Sequence, residues 1–159
     1  VRRQQEERMK EWTSVDDVLD FAIGNEQKAV DFYTEMAGKA QSPHVKKMFE
    51  DNAKEEAGHK GKLEAVKSGK KLIGAEKKVL DLKIGDYLVD VQATDDLDFQ
   101  GALILAMKRE KAAFKLYTDL AGQTDDAGLR ETFLSLAQEE AKHKLRFEVE
   151  YDDEVLKEN

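Results

Sequence analysis

The chain has 159 residues, 38% of them charged, with one proline (Pro43), no cysteine and a formal net charge of −8. That length suits one domain with a proper core, while the missing cysteine excludes disulfides, thiolate metal sites and thiol nucleophiles. The acidic balance excludes the basic patch that nucleic-acid binding needs, and the longest apolar run, Ala102 to Met107, is too short for a signal peptide or a membrane span.

A cytoplasmic protein touching neither nucleic acid nor membrane is therefore expected. Residues 1–13 read as an N-terminal extension, and because the chain opens on Val1 its native start is expected upstream or at Met9. Ser14 then caps a first helix, with Asp17 three residues on to complete a capping box. The core-facing stripe of that helix recurs in steps of three and four: Leu19, Ala22, Glu26, Ala29, Tyr33, Met36. Ser42 and Pro43 read as N-cap and first position of a second helix, whose stripe is Val45, Phe49, Asn52, Glu56, His59, Leu63 and Val66, and which Gly69 ends. These two helices form a hairpin over 14–67. Residues 68–98 form one long crossover, with a solvated basic edge from Lys67 to Lys78 and a short helix near Lys83 to Val89. Asp96 or Asp98 starts a third helix with the stripe Leu103, Ala106, Glu110, Ala113, Tyr117, Leu120. Gly122 and Thr124 to Asp126 make a second tight turn, and the fourth helix carries Leu129, Phe133, Leu136, Glu140, His143 and Phe147. This second hairpin spans 99–150, inside a domain of 14–150, and residues 151–159 read as a tail. The fold class expected is all-α: an antiparallel four-helix bundle built from two repeated helical hairpins with one long crossover.

All four stripes are apolar toward their ends and carry Glu, or Glu with His, near the middle. Glu26 and His59 are 33 positions apart, as are Glu110 and His143, and the two sets are offset by 84. The same offset repeats Tyr33 as Tyr117, Phe49 as Phe133 and Ala29 as Ala113, so a helical hairpin looks duplicated. Each Glu lies about 15 residues from its turn, which at ~1.5 Å per residue levels the six side chains with one another. Four interior carboxylates would each cost several kcal/mol unless compensated, and no Lys or Arg occupies any stripe position. Two divalent cations would supply that compensation. Glu26, Glu56, His59, Glu110, Glu140 and His143 are thus the expected metal ligands, with Glu56 and Glu140 bridging. Carboxylate with imidazole suits iron or manganese, with zinc as the alternative. Tyr33 and Tyr117, two turns along the same face, are placed to donate hydrogen bonds to ligand carboxylates. His44 and the Asp95, Asp96, Asp98 group read as surface, loop and cap residues.

On these six residues and two tyrosines, residues 14–150 resemble the ferritin-like superfamily, and within it the rubrerythrin-related di-iron proteins. The resemblance implies a homodimer or larger assembly in which two iron ions reduce hydrogen peroxide or dioxygen, an oxidoreductase of peroxidase or ferroxidase type serving in oxidative stress, with no catalytic group beyond the ligands. Rubrerythrins typically draw electrons through a four-cysteine rubredoxin domain; with no cysteine here, a separate electron-donor protein is expected. The extra Glu that rubrerythrins carry one turn after the lone Glu of helix three is Ala113 here. Ala57 follows Glu56 where a bacterioferritin offers its haem-ligating Met, so no haem is expected. The alternative is a protein that buffers, delivers or senses iron without turnover.

Overall fold

The computed structural model describes residues 12–70, 72, 75–89 and 97–158. Among them there is no strand. Helix α1 runs Val15–Lys39, α2 Pro43–Gly69, α3 Glu76–Leu80, α4 Phe99–Gln123 and α5 Ala127–Glu158, with a 3-10 helix at Ile84–Tyr87. The chain falls into two compact units, where its length suggests one domain: the first spans Thr13–Glu76 and the second runs from Lys77 onward and includes Trp12. Each unit holds one long hairpin.

In the first unit, α1 and α2 pack along their length. The Ser14 hydroxyl accepts from the Asp17 N–H at 3.1 Å, as the sequence predicts. The Asp17 carboxylate reaches one residue further back than a capping box would, accepting from the backbone N–H and the hydroxyl of Thr13. Ser42 accepts from the Val45 N–H at 3.2 Å, with Pro43 opening α2. Contacts between the helices fix an antiparallel register: Lys60 Nζ donates to Gln27 Oε1 at 2.8 Å, and Lys67 and Lys70 pair with Asp20 and Asp16 at 2.7 and 3.2 Å. Lys67 and Lys70 therefore tie the two helices together, beyond forming a solvated edge. The left-handed position that closes α2 falls on Lys70, φ 56°, one residue beyond Gly69. Stripe residues are buried except Val45, which is half-buried, and the Tyr33 ring stacks on Phe49 with centroids 6.1 Å apart.

The second unit repeats that ring pair one duplication on, with Tyr117 stacked on Phe133 at 6.4 Å. Asp98 is the N-cap of α4, accepting from the Gly101 N–H at 2.7 Å; Asp96 lies outside the described residues. At the turn into α5, Asp126 accepts from the Leu129 N–H at 2.8 Å while its own N–H donates to Thr124 Oγ1. Asp126→Ala should cost about 1 kcal/mol, the usual worth of a capping carboxylate, measurable by chemical denaturation. The 3-10 helix falls within the stretch expected to be helical and packs on α4. There the Tyr87 hydroxyl donates to Asp119 at 2.7 Å, Lys115 Nζ reaches the same carboxylate, and Trp12 stacks on the Tyr87 ring at 5.9 Å.

Two expectations need correcting. Residues 151–158 are not a tail but the last two turns of α5. The crossover also contains a helix, α3, that its short periodicity does not announce. Phe32 and Leu116, off the stripe and equally suited by sequence to a second subunit or to neighbouring helices, are 4% and 2% exposed within this chain, whereas Phe114 is 41% exposed.

Candidate metal centre

Glu26 lies about three turns into α1, and Glu56 and His59 are one turn apart on α2, so each falls on the buried stripe of its helix by the 3.6-residue period. All three are at most 2% exposed. His59 Nδ1 lies 3.1 Å from Glu26 Oε2 and 3.1 Å from Glu56 Oε1. One ligand atom from each comes within 4.8 Å of the other two. The neighbouring Lys60–Gln27 contact shows why: the antiparallel register sets residue 26 level with residue 59.

The second hairpin builds the same triad. Glu110 on α4 and Glu140 and His143 on α5 are 1%, 0% and 2% exposed, with one ligand atom of each within 4.8 Å of the others. His143 Nδ1 stands 3.6 Å from Glu110 Oε2. Each triad thus gathers an imidazole nitrogen and carboxylate oxygens within its own buried hairpin interior.

Those separations suit a cation. Ligand atoms each about 2.1 Å from one ion lie about 3 Å apart when they subtend a right angle, which matches the spacing at His59. The donor set is hard carboxylate plus imidazole with no thiolate, the chemistry of iron, manganese or zinc. Without a metal, a proton takes the cation's part. Burial pushes the His59 imidazole down, but the Glu26 and Glu56 carboxylates beside it outweigh burial and raise it from 6.5 to about 10.

Tyr33 and Tyr117 are 0% and 1% exposed on the same stripes, each stacked on its phenylalanine. Glu55 and His44 are exposed, and Glu139 is half-buried. One residue passed over as ordinary stripe stands out: Asn52 is 0% exposed, one turn before Glu56, where the duplicated position is Leu136. A carboxamide in place of leucine in one half only was the available signal, because a fully buried amide must be hydrogen-bonded to be tolerated. Among the described residues, no helix is long and apolar enough to cross a membrane.

No curated protein matches the chain. A crystal structure of a protein from Thermotoga maritima, described as a ferritin-like diiron-carboxylate protein, superimposes with a TM-score of 0.75 at 20% identity, over 91% of this chain and 99% of that one. That likeness establishes the fold class as all-α and ferritin-like, the four-helix architecture read from the stripes. The rubrerythrin family model matches residues 17–151, which include all six carboxylate and histidine positions. The chain belongs to the rubrerythrin family.

Proposed function

We propose that Glu26, Glu56, His59, Glu110, Glu140 and His143 together hold two iron ions as one carboxylate-bridged centre that reduces hydrogen peroxide or dioxygen in the cytoplasm. The observation carrying this reading is the paired approach of His59 Nδ1 to two carboxylates at 3.1 Å, deep in a hairpin and duplicated in kind by Glu110, Glu140 and His143. When bound, two ferrous ions would supply one electron each, enough to cleave the O–O bond of hydrogen peroxide or to reduce dioxygen as far as peroxide. The chain's residues set the conditions. Glu26, Glu56 and His59 would hold one ion and Glu110, Glu140 and His143 the other, with Glu56 and Glu140 the carboxylates shared between them. The Tyr33 and Tyr117 hydroxyls, on the same stripes, would donate to ligand carboxylates and fix their orientation. Surrounding apolar stripe residues such as Leu63 and Leu103, both fully buried, keep bulk water away. A separate electron-donor protein would return the electrons.

Anaerobic titration of metal-free protein with Fe(II), followed by peroxide, tests this. The expected result is about two irons bound per chain and oxidation of both by one equivalent of peroxide. Binding of fewer than one iron, or peroxide consumption no faster than that of free Fe(II), would defeat the proposal. Ala113 favours a second reading, iron buffering without turnover, because a methyl group stands where rubrerythrins carry an additional carboxylate. Repeated cycles of oxidation with a reductant protein present separate the two, since a buffer would oxidise its iron once and stop.

A further inference from the structure

Helix α5 carries a second apolar stripe, on the side away from Glu140 and His143. Leu134, Leu145, Val149 and Leu156 are 42%, 61%, 52% and 72% exposed, and they are four of the five large hydrophobic residues exposed among the described ones. At ~100° per residue they fall within about 60° of one another, so they line one narrow seam some 33 Å long. Filling in the heptad steps of that seam gives Leu134, Gln138, Ala141, Leu145, Val149, Asp152 and Leu156, in steps of four, three, four, four, three and four. This order reads the same from either end. Leu145 is its centre, with Ala141 and Val149 four residues away on either side, Gln138 and Asp152 seven, and Leu134 and Leu156 eleven.

The geometry points to this seam as a self-association surface, in which α5 pairs antiparallel with α5 of a second copy about a twofold axis through Leu145. A twofold interface must match each residue to its mirror image. Here the symmetry sets Leu134 against the partner's Leu156, Leu145 against the partner's Leu145, and small Ala141 against the larger Val149 of the partner subunit. Its one polar pairing is Gln138 with the partner's Asp152. A parallel pair would instead bring two copies of Asp152 together at the seam. Charge along the helix favours the antiparallel choice as well. Residues 145–157 hold five acidic and two basic side chains, whereas 127–144 hold three of each. Antiparallel pairing lays each acidic half beside the balanced half of its partner and avoids placing two acidic halves side by side. The spacing is that of a coiled-coil seam, which wants apolar groups in steps of three and four. Nothing in this proposal depends on metal or on the redox reading.

The natural absence of cysteine makes a clean test. Sedimentation equilibrium of the full chain should show a dimer, and Leu145→Glu, which puts two like charges on the axis, should weaken it about thirtyfold or more. Phe114→Glu, an exposed apolar residue off the seam, should leave it intact, and circular dichroism of both variants should match the parent. With a short thiol-to-thiol cross-linker, Leu145→Cys should link to itself. Leu134→Cys and Leu156→Cys should link when mixed, but neither alone. A parent chain that is monomeric at every concentration overturns the proposal, because the seam is then covered from within the chain or not at all. So does a dimer indifferent to Leu145→Glu, or self-linking of Leu134→Cys as efficient as that of the mixture.

Discussion

Glu140→Leu should make the metal-free protein more stable while stripping it of metal. Glu140 is 0% exposed and lies on a stripe whose other members include Leu129, Phe133 and Leu136, so leucine continues the pattern in helix type and in volume. Without metal, Glu140 bears the cost of a carboxylate taken out of water, which a well-packed leucine avoids, an expected gain of about 1–3 kcal/mol. The variant also leaves the Glu110–His143 contact in place, so no imidazole loses that neighbour. A gain of that kind raises the midpoint of thermal unfolding by about 2–4 °C per kcal/mol in a chain of this size. With metal the ranking should invert. Loss of a group that merely orients a ligand costs metal affinity about 10–100-fold, and loss of a ligand at least as much. The parent at a hundred times its dissociation constant gains about 2.7 kcal/mol from binding, and the variant little of it. Thermal melts of both proteins, with and without Mn(II), give four midpoints that check the crossing. A variant that melts lower without metal, yet still gains from metal as the parent does, would show that Glu140 is structural.

The reason such a residue could be found from the sequence is that it breaks a pattern the rest of its helix obeys. A carboxylate at a leucine position is legible because periodicity says which positions are interior, and the repeat says which breaks are intentional. Caps were legible on the same footing, since Ser14, Ser42 and Asp98 each accept the N–H that their chemistry demands. What escaped was whatever a single helix does not encode. The run from Tyr151 to Glu154 is acidic and reads as a solvated end, yet α5 continues through it, because exposed helical turns need no apolar face to persist once the preceding turns are formed. Phe32 and Leu116 lie one position off their stripes, and the buried face of a packed helix is broader than a seam of a and d positions. The 3-10 helix packs on α4 through Tyr87 and Asp119, a contact between segments 32 residues apart that no local pattern could announce. The palindrome on α5 was present in the sequence all along. It becomes visible only when exposure separates those leucines from the ones inside.

Opposite responses to pH are expected from the metal-free and metal-loaded protein, and His59 is the cause. Its imidazole is held protonated in the folded chain up to about pH 10, because two carboxylates beside it outweigh the effect of burial. A folded-state value above the unfolded 6.5 means that the folded chain holds a proton which the unfolded chain releases between these limits. The stability this contributes is complete below about pH 6.5 and is lost as pH climbs through about 10. Metal must displace the same proton, since only neutral imidazole binds a cation. Affinity should therefore rise up to tenfold per pH unit for the one proton released, where an ordinary histidine would have stopped contributing above about 6.5. Between pH 7 and 9 the melting midpoint of metal-free protein should fall while metal affinity rises. Calorimetric titration with Mn(II) in buffers of differing ionisation enthalpy counts the released proton directly. Glu26→Gln removes one of the two carboxylates holding it and should flatten both trends. If metal uptake at pH 8 releases no proton, the imidazole is neutral in the metal-free chain, and His59 is then held by packing and not by charge.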